Sequence, residues 1–146
     1  NEGNIKELSI ANFALLELTT IMQQILHQTN FADYFRQTMN TLDAANLWEV
    51  THCRTNWENF IIPHYKDYQQ IADKSLGHAL GPIAILFALG FTKDDPEVKF
   101  SFQFFTHYLI ARQLNDDIHV WHEDLQRGQI NAVGALILQA YQKRGH

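Results

Sequence analysis

An all-α helical bundle of five to six helices is the fold class this sequence predicts, and three observations predict it. Apolar residues recur at helical spacing almost throughout. Alternation of the kind a strand needs is scarce. Only three prolines and seven glycines punctuate 146 residues. The length predicts a single domain over 1–146, large enough to bury roughly 70% of the surface its unfolded chain exposes.

The elements follow in order. Ile10, Phe13, Ala14, Leu18, Ile21 and Ile25 form one stripe, which predicts an amphipathic helix over 5–28 with that stripe inward. Asn30 is placed to cap a second helix over roughly 31–50, with Phe31, Tyr34, Phe35, Met39 and Leu42 facing the core. From Thr51 to Tyr68 the pattern is ambiguous, and Pro63 breaks or restarts any helix there. Residues 67–90 read as a buried helix with a kink, because Pro82 removes a backbone donor and Gly77 and Gly81 thin the same face. Gly90 to Asp95 is a loop. Asp95 suits a cap and Pro96 the first turn of a helix that runs to about Gln126, where Gly128 stops it. A last helix covers about 130–143. The sequence shows no internal repeat, linker or low-complexity tract.

Composition narrows the function classes. Hydrophobic residues make up 46% and charged residues 18%, so the chain is not of the disordered type. A formal net charge of -5 argues against nucleic-acid and anionic-membrane partners, which require a basic face. The single cysteine, Cys53, excludes an intrachain disulfide and a multi-cysteine zinc site, and fits a reducing, cytoplasmic setting. The start Asn1-Glu2-Gly3-Asn4 lacks the basic and apolar regions of a secretory signal. The longest apolar stretch, Ala79 to Phe91, is too short for an integral membrane segment.

The long fifth helix carries the informative residues. Its first half is aromatic, with Phe100, Phe102, Phe104, Phe105 and Tyr108. Its second half contains Arg112, Gln113, Asp116, Asp117, His119, Val120, Glu123, Asp124 and Arg127. Positions 116, 120 and 124 fall on one drifting stripe, with Gln113 a turn above it. Oxygen donors so spaced suit a hard divalent cation such as Mg²⁺, which takes one or two carboxylates and completes its shell with water and phosphate. The adjacent Asp116 and Asp117 repel each other unless a cation neutralises them. The plainer reading is a solvated acidic face braced by the Arg112–Asp116 pair. Upstream, Lys74 and Ser75 lie in an apolar helical stretch. Lys74 there either snorkels to water or meets an anion such as phosphate.

Together these residues resemble a family. Lys74-Ser75, followed by Gln113-Leu114-Asn115-Asp116-Asp117-Ile118-His119-Val120, is similar to the second half of trans-isoprenyl diphosphate synthases. There a Lys-Thr pair on one helix precedes a Gln-rich DDxxD motif on the next. The run from Gln113 to Gly128 is similar also to the second aspartate-rich motif of squalene and phytoene synthases, with Asp116, Val120 and Asp124 at the ligand positions. The resemblance spans about 70–128. It implies part of the isoprenoid synthase fold and an Mg²⁺-dependent prenyltransferase acting on an allylic diphosphate. It further implies that Asp116, Asp117 and Asp124 bind metal and that Asp116, Asp117 and Lys74 are catalytic. Lys74, Ser75, Arg112, Gln113 and Arg127 would contact the diphosphate and its metal or water. Phe104, Phe105 and Tyr108 would line the pocket for the hydrocarbon chain.

Two departures mark the limits of the likeness. Val120 stands where the family has an aspartate, and residues 1–70 hold no first aspartate-rich motif, since Asp33 and Asp43 are isolated. The family fold also needs about twice this length. The missing part must come from an N-terminal half or from another subunit, as in a homo-oligomer. Otherwise the chain is a non-catalytic helical interaction domain that keeps the scaffold alone. Other metal and nucleophile readings are weaker: His119 with His122 or Glu123 lacks a full zinc set, and Cys53 reads as a buried, inert thiol.

Overall fold

The computed structural model describes residues 2–27, 29–55, 57–58 and 60–145, without the side chains of 2–6 and Ile25. Among the described residues it is an all-α bundle of six helices: α1 (Glu2–Leu26), α2 (Phe31–His52), α3 (Gln69–Asp73), α4 (Gly77–Ala88), α5 (Pro96–Gln126) and α6 (Ala132–Arg144). A short 3₁₀ turn, Lys66–Tyr68, leads into α3. Among the described residues there is no strand, only one antiparallel bridge between Arg54 and Gln129. No described helix is long and apolar enough to cross a membrane.

The long α5 is the axis of the bundle. Helices α3, α4 and α6 pack along it, α2 covers α3 and α4, and α1 packs against α4 and α2. The apolar core sits where α2, α4 and the start of α5 meet, with Leu26, Phe31, Leu80, Ile83, Phe87 and Val98 buried together. Phe31 and Phe87 meet edge to face at 5.4 Å between centroids. Burying each such side chain stabilises the fold by about 1.5–3 kcal/mol.

The inward faces match expectation in α2, where Phe31 is buried and Tyr34, Phe35 and Met39 pack against the core. They do not match in α1. Ile10, Phe13, Leu18 and Ile21 are exposed, and α1 instead presents Met22 and Leu26 to the core. The segment is apolar on several faces, so periodicity alone could not choose between stripes. The helix ends at Leu26, and the expected last residue, Gln28, lies outside the described residues.

Caps differ in detail. Asn30 makes no side-chain cap; the Phe31 N–H instead donates to Thr29 Oγ1 at 3.3 Å. Asp95 precedes α5 but accepts from Thr92 N at 2.6 Å and Thr92 Oγ1 at 2.9 Å, so it braces the loop rather than the helix. The helix expected over 67–90 is divided. Asp67 and Tyr68 adopt positive φ, and α3 ends at Asp73 in a chain of tight turns through Leu76 before α4 begins. Pro82 lies inside the continuous α4, so the interruption falls at 74–76 instead. Gly128 takes φ +75° and ends α5 as expected.

A polar cleft between the second, third, fifth and sixth helices

Side chains from four elements converge on a cleft of about 70 Å³. Helix α2 contributes Trp48 and Glu49. The α3 region contributes Gln70, Ile71 and Lys74. Helix α5 contributes Gln113, Asp117, Val120 and Asp124, and the turn before α6 contributes Gln129 and Asn131. The α5 positions are spaced four, three and four residues apart. At about 100° per residue this keeps them on one narrow face. The stripe expected through 116, 120 and 124 drifts off it, and Asp116 lies on the exposed side of the helix.

The lining is internally bonded. Lys74 Nζ donates to Glu49 Oε2 at 2.6 Å, and both side chains are half-buried. Gln129 Nε2 reaches Glu49 Oε1 at 3.5 Å. Asp117 is only 5% exposed and accepts twice: from Gln113 Nε2 at 2.9 Å and from the Ala132 N–H at 3.1 Å. Asp124 Oδ2 accepts from Asn131 Nδ2 at 2.8 Å, while Asn131 Oδ1 caps α6 by accepting from Gly134 N at 2.8 Å. The two aspartates therefore hold the start of α6 against α5. Gln70 Oε1 is buried without a hydrogen-bond partner.

Burial pushes the Asp117 carboxyl above the ordinary aspartate range, although its bonds from Gln113 and Ala132 pull the other way. Tyr65 also lines the cleft; its hydroxyl donates to Ile130 O at 2.9 Å and accepts from the Cys53 thiol at 3.0 Å. Burial raises both groups, so Cys53 is a protonated, enclosed thiol and a poor nucleophile, as expected.

The expected site residues thus divide. Lys74, Gln113, Asp117 and Asp124 come together in the cleft. Ser75 lies beside Lys74 in a separate shallow groove with Leu42 and His78. Arg112 is exposed, and Arg127 is an exposed partner of Glu123 at 3.5 Å. Higher on α5, Phe104 stacks on Tyr108 and meets Phe105 edge to face. Phe105 packs on the core, Phe104 and Tyr108 are exposed, and none of the three lines the cleft. Among the residues that sequence reasoning missed, Glu49 left a signal: it continues the inward-facing register of Leu42 and Ala45 on α2. Gln70, Gln129 and Asn131 left none, because only the folded chain brings them beside α5.

The donors can be weighed against Mg²⁺. Glu49, Asp117 and Asp124 supply hard oxygens of the right type. Each is already engaged by an internal donor, and Asp116 is turned away. No group of three His, Cys, Asp or Glu placed to hold a metal ion occurs among the described residues. As arranged, this chain alone does not fit a resident Mg²⁺. Compared with known proteins, it matches no family model, no curated protein and no solved structure.

Proposed function

We infer that this chain is a module of a class I isoprenoid synthase-like prenyltransferase, the part bearing the second aspartate-rich helix. In this reading its cleft receives the diphosphate end of an allylic substrate in the cytoplasm. The observation that carries the reading is convergence. Lys74 and the Gln113–Asp124 stretch, separate in sequence and resembling two motifs of one enzyme class, line the same cleft. Lys74 is the one cation among the described lining residues, against the carboxylates of Glu49, Asp117 and Asp124. A bare diphosphate would be repelled by that lining. A diphosphate carrying its own Mg²⁺ would not, and Lys74 released from Glu49 would donate to a phosphate oxygen. Phe104, Phe105 and Tyr108 lie outside the cleft, so the reading rests on the polar end of the site alone. The first acidic motif, and the remaining metal ligands with it, are assigned to an N-terminal half or a second subunit.

Two observations favour a second reading, a non-catalytic helical interaction domain. Val120 offers the cleft no oxygen, and α1 exposes Leu8, Ile10, Phe13, Leu16, Leu18 and Ile21. Such an apolar surface marks a place where a partner packs.

Thermal melting with inorganic pyrophosphate, MgCl₂, or both separates the readings, because a ligand that binds only the folded state raises its Tm. The synthase-like reading requires a rise when both are present, lost in Lys74→Met. Curves that none of the three additions moves would leave the interaction domain.

A further inference from the structure

A second concavity lies away from the polar cleft, at the corner between α1 and α2. Its volume is about 550 Å³, within the range of small-molecule sites. Its floor is Leu26 and Phe31, both buried in the core, and its walls are Met22, Phe35 and Met39, which pack partly against that core. Methionine adapts to irregular alkyl shapes through its flexible, polarisable chain. At the rim stand Arg36 and His27, and no carboxylate occurs among the described lining residues.

The rim decides the chemistry. The Arg36 side chain is 71% exposed and, among the described residues, pairs with Asp33, its helical neighbour, at 3.0 Å. An exposed pair of this kind contributes little, so Arg36 exchanges partners at small cost. Its planar guanidinium can present two donors to a carboxylate. A closed apolar floor with a cationic rim matches a single-chain amphiphile: the tail among the methionines and phenylalanines, the anionic head at Arg36.

We propose that the α1–α2 corner is a binding site for a long-chain monocarboxylate of the fatty-acid type, with Arg36 as the head-group contact. The site is independent of the polar cleft and of any prenyltransferase chemistry there.

Calorimetric titration of the intact chain tests this with dodecanoate, dodecanol and dodecyltrimethylammonium, each below its micellar concentration. Saturable one-to-one binding of dodecanoate is expected, at least tenfold tighter than dodecanol and tighter still than the cationic amphiphile. Arg36→Glu, a surface change, should weaken dodecanoate at least tenfold and remove the preference over the cation. Ala32→Phe, placed on the exposed lip of the groove, should weaken all three. Three results overturn the proposal: equal binding of the three heads, dodecanoate affinity unaltered in Arg36→Glu, or uptake that never saturates. So does a self-associated chain, by sedimentation, in which α1 of a second copy excludes dodecanoate.

Discussion

Asp117→Ala tests the most consequential assignment in the cleft. The carboxylate is nearly inaccessible and receives the Ala132 N–H, the first backbone donor of α6, at 3.1 Å. Alanine leaves that donor without an acceptor and Gln113 Nε2 without its 2.9 Å partner. An orphaned buried donor costs about 1–3 kcal/mol. The Gln113 amide is half-buried and recovers part of its loss through water. Relief from burying a charge offsets a little more. The expected net loss is about 2–4 kcal/mol, a fall in Tm on the order of 5–15 °C for a chain of this size. Urea unfolding gives the energy, and amide exchange at residues 132–134 shows whether α6 has come loose at its start. The pH response has a definite sign. Burial holds the folded-state carboxyl above the ordinary value of 3.8, so the folded state binds this proton more tightly than the unfolded chain does. Its contribution therefore favours folding as pH falls from above the folded value toward 3.8, and levels off below. Burial shifts Asp73 in the same direction. Asp117→Asn should reduce this slope and leave the part due to Asp73. An Asp117→Ala protein within about 0.5 kcal/mol of the parent, with unchanged exchange in α6, would refute the clamp. A gain in stability would do the same, and would mark a carboxylate held in place against the needs of folding.

Three further outcomes follow from the geometry. Lys74→Met strands Glu49 in the cleft and should cost about 1–3 kcal/mol; adding Glu49→Gln should recover part of it, and a double-mutant cycle in urea with no coupling would show that the 2.6 Å pair contributes nothing. Val120→Asp inserts a carboxylate between Asp117 and Asp124 on the cleft face and should create saturable Mn²⁺ binding by calorimetry, weak or absent in the parent; a folded variant without it would show that the spacing is not that of ligands. Gly128→Ala sets a Cβ 3.0 Å from Thr55 O at φ +75° and should lose about 1–3 kcal/mol, whereas Gly90→Ala, at φ +95° but in open space, should lose less; equal losses on thermal melting would remove the contact from the explanation.

Helix α5 was the most legible part of the chain. Proline at its start and glycine after its end are local stereochemical instructions that no tertiary contact had to override. Helix α1 was legible in its existence and not in its orientation, because an apolar surface on several faces contains no instruction about which face is covered. The cleft was half legible. Lys74, Gln113, Asp117 and Asp124 declared themselves through residue type and order, yet their face was misjudged by one residue. A simple i, i+4, i+8 stripe selects Asp116, while the four-three-four spacing that follows the helix more closely selects Asp117. Asn131 shows the remaining limit. Its role in tying Asp124 to the start of α6 depends on a turn that brings the chain back on itself, and single-helix periodicity says nothing about such returns.

The turn between the last two helices also serves as a docking strip for a distant stretch. Ile130 N donates to Cys53 O at 2.7 Å, Thr55 N donates to Gly128 O at 2.8 Å, and the Tyr65 hydroxyl meets Ile130 O. The stretch after α2 thus meets part of its backbone hydrogen bonding through a part of the chain synthesised much later. Closing so wide a loop costs entropy before any bond rewards it. The bonds that join this stretch to the turn can form only once the last part of the chain is present.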